Sequence, residues 1–192
     1  MFRLKALLAA AALGVAAFAA HADFIVADAV VSAPEQVRGP LSKQKLADLV
    51  EYARAGMSRH TERNAAGSEA RILAIDSVSA RVQTGPGREV TLQLLPVKND
   101  TVIAVIETLT SQVADSRMTI YARNWTPLPK LWKEPKPSEW GRVDPLPILL
   151  VEYAYAPESG ILTLTNNSED KEKMLGRMRY KWTPKGFKKI KE

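Results

Sequence analysis

The chain has 192 residues, of which 46% are hydrophobic, with a formal net charge of +6 and no cysteine. That length supports one domain with a real core, and the composition is that of an ordinary globular protein. The missing thiol excludes disulfides, thiolate nucleophiles, cysteine-ligated metals and lipid attachment through an N-terminal cysteine.

The charge is unevenly spread. Residues 171–192 hold nine Lys or Arg against two Glu, whereas Asp23 to Asp170 holds 16 basic and 19 acidic side chains. The basic character belongs to the C-terminal end. A solvated strand edge and tail is its ordinary meaning. Its functional meaning is a contact for an anionic partner through Lys185, Lys188, Lys189 and Lys191.

Met1 to Ala22 reads as a secretory signal peptide. Arg3 and Lys5 form the positive n-region, Ala6 to Ala20 is unbroken apolar sequence, and Ala20-His21-Ala22 is a small-x-small cleavage site. The run is shorter than the roughly 20 residues that span a bilayer. The expectation is a mature chain that begins at Asp23, is exported to the periplasm or beyond, and has no membrane anchor.

The chain then proceeds through an apolar stretch, Phe24-Ile25-Val26, and a short helical turn that starts at Pro34 and breaks at Gly39-Pro40. Ser42 to Ala55 is the clearest helix. Ser42 caps it, Leu46, Leu49, Val50 and Ala53 form one stripe with Met57 just beyond, and Gly56 closes it. Ser58 to Gly67 is a polar loop. It carries His60, the one histidine after cleavage, which is a surface residue more often than a ligand.

Strand candidates follow at Arg71–Ile75 and at Val78, Ala80 and Val82, which alternate with Ser79, Arg81 and Gln83. After the turn Gly85-Pro86-Gly87 come three consecutive antiparallel strands, Arg88–Val97, Thr101–Leu109 and Ser116–Arg123. Lys98-Asn99-Asp100 turns between the first two. Thr101 to Ile106 is apolar on both faces, as in a strand covered on two sides. Residues 125–147 hold six prolines together with Trp125, Trp132 and Trp140. That density excludes a helix or central strand. These tryptophans anchor an ordered loop or, read functionally, form an aromatic platform for a carbohydrate or peptide. Ile148–Tyr155, with Tyr153 and Tyr155 on one face, Ile161–Thr165 and Arg177–Thr183 are further strands. A short helix is expected from Glu169 to Leu175, and Pro184-Lys185-Gly186 turns into Phe187 and the basic tail.

Four pieces carry a resemblance: Glu51-Tyr52-Ala53-Arg54-Ala55-Gly56-Met57; Leu92 to Asp100 running into Val102 to Thr108; Asp115-Ser116-Arg117-Met118-Thr119-Ile120-Tyr121 with Trp125; and Arg179-Tyr180-Lys181-Trp182 with Gly186-Phe187. In this order they resemble a family of exported proteins from Gram-negative bacteria known as domain of unknown function 3256. The chain departs from that pattern at Ala122, where an acidic residue is expected, and in its Pro-rich segment. The resemblance implies envelope placement and brings no activity, substrate or cofactor.

The chemistry-bearing residues are sparse. The sequence has no His-Cys-Asp cluster for zinc, no phosphate-binding Gly-rich loop with its Lys-Ser/Thr, and no G-x-S-x-G elbow. Carboxylates remain. Glu107 and Glu152 each sit in an apolar strand, where burial would raise a general acid's pKa, and as cross-strand neighbours they could form the pair of a glycan hydrolase. The simpler expectation is that each faces solvent or pairs with Arg117 or Arg71. Asp100 and Asp115 read as turn residues.

The resulting expectation is a single α+β domain over residues 23–192. A curved antiparallel sheet of about six to eight strands packs against one main helix. Its role is that of a non-enzymatic binding or structural module without a cofactor. The expected partner is another envelope protein or an anionic envelope polymer, not nucleic acid. The alternative is the carboxylate-based glycan hydrolase.

Overall fold

The computed structural model describes residues 24–141, 148–168 and 174–191. Three helices come first: α1 (Val26–Ser32), α2 (Glu35–Arg38) and α3 (Lys43–Arg54). Among the described residues ten strands follow. They are β1 (Glu62–Arg63), β2 (Glu69–Ile75), β3 (Ser79–Gly85), β4 (Arg88–Val97), β5 (Asp100–Leu109), β6 (Asp115–Tyr121), β7 (Val151–Ala156), β8 (Ile161–Asn166), β9 (Arg177–Thr183) and β10 (Gly186–Lys189). The fold is α+β, and no described helix is long and apolar enough to cross a membrane.

Helix α3 follows its sequence pattern. Ser42 Oγ accepts the Lys45 N–H at 3.3 Å, and Leu46, Leu49 and Val50 are buried. Each such side chain stabilises by about 1.5–3 kcal/mol. Gly56 follows the helix with φ +82°, as a C′ glycine does. Met57 does not extend the apolar stripe; it lies past the last turn and is 51% exposed.

Helix α1 was not expected. Its valines are mediocre helix formers, so burial carries it: Val26, Ala27, Ala29 and Val30 all face the core. The Asp28 carboxylate accepts the Ile25 N–H at 3.2 Å, which holds the first turn. Pro34, expected as the first residue of the next turn, instead stands just before α2 as its N-cap.

The strands form two antiparallel meanders, not one curved sheet of six to eight strands. The first runs β1-β2-β3-β4-β5-β6, and the second has the order β10-β9-β8-β7. The expectation of one sheet on one helix fails for a physical reason. The Pro-rich stretch after β6 folds back on it for a single bridge, Tyr121 opposite Pro127, with the Leu128 N–H donating to Ile120 O at 2.8 Å, and goes no further as a ladder, because proline has no N–H to give. Strand β7 therefore meets β6 through side chains: the Val151 N–H donates to Asp115 Oδ1 at 3.1 Å and the Tyr153 N–H to Ser116 Oγ at 3.1 Å. Asp115, read as a local turn residue, acts between the sheets.

Strand β5 is covered on both faces, as its sequence predicts. Ile103 and Val105 join Val90, Leu92 and Leu94 under the helices. Val102, Ala104 and Ile106 join Met118 and Ile120 against the second sheet. The layers are thus helices, six strands, four strands. The loop before β2 is held by Asn64, which is buried; its Oδ1 accepts the Ala66 and Ser68 N–H groups and its Nδ2 donates to Thr84 O at 3.0 Å. The short helix expected from Glu169 falls on residues outside those described.

Candidate functional site

At one end the two sheets part. Strand β4 runs past the start of β3, where Ser79 pairs with Gln93, and four of its residues extend beyond that cover. A cleft of about 510 Å³ opens there, lined by Gln93, Leu94, Pro96, Tyr155, Lys181 and Trp182 among others. That volume lies within the roughly 300–1,000 Å³ of small-ligand sites.

The cleft's polar groups are held in place. Gln93 is 3% exposed. Its Nε2 donates to Val78 O at 3.2 Å and Leu94 O at 3.1 Å, which satisfies strand carbonyls where the ladder ends. The Trp182 indole N–H donates to Pro96 O at 2.9 Å. Lys181 Nζ donates to Ser159 O. Gly160 is bare at the point where a Cβ would stand 3.6 Å from Lys181 Nζ and 3.7 Å from Tyr155 Oη, so an ammonium and a phenol converge over it. Tyr155 is pushed up to about 12, first by burial and then by the Glu158 charge, and its hydroxyl is a neutral donor at pH 7. Sequence reading missed Gln93, which it counted only as one residue of the strand Arg88–Val97. The available signal was its place in Leu92-Gln93-Leu94-Leu95, where alternation gives way to burial on both faces.

The structure does not bring Glu107 and Glu152 together. Glu107 shares the helix-facing side of β5 with Ile103 and Val105, whereas Glu152 is exposed and alternates with the inward Val151 and Tyr153 on the far sheet. The carboxylate pair of a glycosidase is therefore not assembled. Glu107 pairs with Arg88 at 2.7 Å, not with the directly opposed Arg117. Arg88 also donates to Thr84 Oγ1 at 2.8 Å and Val37 O at 3.1 Å, joining the sheet to α2. Glu107→Ala should lower stability by about 1 kcal/mol, a charged hydrogen bond discounted for its partial exposure. A shifted denaturation midpoint with an unchanged slope would show it, and no shift would mean that Arg88 binds α2 without help.

Trp125, Trp132 and Trp140 do not lie side by side. Trp125 packs under α1 and donates to Ser32 Oγ at 3.1 Å, while Trp132 and Trp140 are 8% and 1% exposed between the sheets. A platform needs open ring faces, which the two buried rings lack. Trp132 instead centres an edge-to-face cluster with Tyr153, Tyr180 and Phe187. Lys185, Lys188, Lys189 and Lys191 are exposed on or beside the edge strand β10, where lysines discourage edge pairing. Lys189 meets Glu139 at 3.3 Å. His60 stacks on Tyr52 and bonds Glu62 at 3.2 Å. Among the described residues no cluster of three His, Cys, Asp or Glu could hold a metal ion.

The inter-sheet tyrosines predict an alkaline limit to stability. Tyr153 and Tyr180 are also raised, chiefly by burial, Tyr180 to about 12. The unfolded chain releases these protons first, near pH 10. The stabilisation is complete below pH 10 and is lost as pH rises toward 12. Denaturant midpoints at pH 9 and 11, with tyrosinate absorbance, should show a fall; constant midpoints would contradict the burial.

No curated protein matches the chain. Among solved structures, a domain of an uncharacterized protein from Porphyromonas gingivalis W83 is similar at a TM-score of 0.64 and 21% identity, covering 84% of this chain and 96% of that one. At that identity the likeness is one of fold. The family model described as protein of unknown function (DUF3256) matches residues 21–184, and the chain belongs to that family.

Proposed function

We propose that the protein is an exported, non-enzymatic module of the cell envelope that binds a ligand in the cleft between its two sheets. The observation that carries this reading is Gln93. Its Nε2 is bonded twice, whereas its oxygen accepts from none of the described residues and is not sealed off, so it stands open to a donor in the wall of a cleft of ligand size. The leader pattern of Met1 to Ala22 supports export.

Two measurements test the reading. N-terminal sequencing of the protein from its native envelope should begin at Asp23; a retained Met1 would rule out cleavage. Incubation with native envelope extract should move the nuclear magnetic resonance signals of the Trp182 indole and the Gln93 carboxamide. Ser77→Trp, placed at the exposed rim, should abolish that response. Signals that never move would remove the cleft as a site.

A contact of the basic end with an anionic polymer is a second reading, favoured by the exposure of Lys185, Lys188 and Lys191. Deleting residues 185–192 would remove Phe187 and the whole of β10, so the clean test is their joint replacement by Gln. Salt-sensitive retention on heparin should then be lost.

A further inference from the structure

We infer that the cleft takes an extended peptide segment. An apolar side chain sits against Pro96 and Trp182, its backbone N–H donates to Gln93 Oε1, and a main-chain or terminal oxygen meets Lys181 Nζ and Tyr155 Oη. This assignment rests on the ligand-binding reading above and names its ligand class.

The argument starts from what each wall offers. Gln93 has both amide hydrogens committed to Val78 O and Leu94 O, so the carboxamide cannot turn, and Oε1 is left as an acceptor. It suits a ligand with an N–H or O–H. Across the cleft Lys181, which also donates to Ser159 O, and Tyr155 are donors that converge over the bare face of Gly160, and they suit an acceptor. Between them the surface is apolar, from Val78, Pro96 and Trp182. A peptide carries donor, acceptor and apolar side chain in that alternation.

Other classes fit less well. An acyl chain has no donor for Gln93. A sugar ring would stack on an open aromatic face, but Trp182 is 9% exposed and its indole N–H is tied to Pro96 O. A simple cation would meet the Lys181 ammonium. Glu158, also in the wall, is an exposed turn residue two positions before Gly160, and its charge favours a neutral main-chain carbonyl over a terminal carboxylate at Lys181 and Tyr155.

The test titrates nitrogen-labelled protein with acetyl-Ala-Leu-Ala as free acid and as amide, and with chitotriose. Both peptides should move the Trp182 indole and Gln93 carboxamide signals saturably. Gln93→Met and Lys181→Met should each weaken binding about tenfold, the loss of one good hydrogen bond. Lys181 is exposed, so its variant folds even if Gln93→Met does not. A tighter free acid identifies a chain terminus as the ligand, and equal affinities an internal segment. Peptide binding that Lys181→Met leaves unchanged overturns the assignment. So does movement caused by chitotriose alone, which leaves the cleft itself standing as a site. Signals unmoved by every probe and by envelope extract overturn both.

Discussion

Gly186→Ala should destabilise the protein by about 3–4 kcal/mol. Two terms combine. Gly186 has φ +101°, a conformation that L side chains rarely adopt. A Cβ there would also stand 2.3 Å from the Leu131 carbonyl oxygen and 2.8 Å from Leu131 Cα. These are backbone atoms, so no side-chain rotation relieves the overlap. The close approach has a purpose: the Phe187 N–H donates to Leu131 O at 3.0 Å, clamping β10 to the loop that carries Trp132. Gly56→Ala is the matched control, with φ +82° and nothing within 4 Å of its virtual Cβ. It should cost only about 1 kcal/mol, the conformational term alone. Urea midpoints for both variants decide the matter. Equal losses would mean that the Leu131 contact gives way freely and that the clamp carries no weight.

Local pattern made much of this fold readable. Helix α3 has a cap, a stripe and a closing glycine within fifteen residues, and each belongs to a rule that acts over one or two turns. The β4–β5 hairpin is equally local, with Val97 opposite Asp100 across Lys98-Asn99. The double apolar face of β5 announced two layers above and below it. What covered the second face was not readable. Strands β7, β8 and β9 show the same period of two whether they extend the first sheet or stack on it. That choice is made by Pro-rich residues that end one ladder and by Asp115 and Ser116, whose side chains replace a backbone partner for β7. Helix α1 was hidden for a related reason: its valines have strand-like propensity, and only the surface they cover makes them helical. The candidate site suffered most. Gln93 has an ordinary polar residue's place in an alternating pattern, and its burial depends on a sheet 60 residues further along the chain joining from above, an approximate spacing set by loop connection and not by local rules.

The tryptophans carry the second large prediction. Trp140→Ala should cost about 3–5 kcal/mol, as large aromatic deletions in cores do, and Trp125→Ala about 1–2 kcal/mol. The difference follows from position. Trp140 is 1% exposed between the sheets, whereas Trp125 is half-buried under α1. The route by which Trp140 reaches the core is built from local chemistry. Lys136 precedes a single 3-10 turn, Pro137–Trp140, whose first residue has its φ fixed by the ring. Glu139 Oε1 accepts the Lys136 N–H at 3.0 Å, and its Oε2 meets Lys189 on β10 at 3.3 Å. The Trp140 carbonyl accepts the Leu175 N–H at 2.9 Å, so the turn also holds the approach to β9. Removing the indole would leave a cavity that three separately anchored segments cannot close, which places the loss at the upper end of the range. If instead Trp140→Ala leaves the denaturation midpoint unchanged while weakening a carbohydrate or peptide, the ring is a binding surface and not a wedge between sheets. Denaturation of the two variants side by side separates these outcomes, with the emission of the remaining tryptophans, among them the buried Trp132 and Trp182, reporting each unfolding transition.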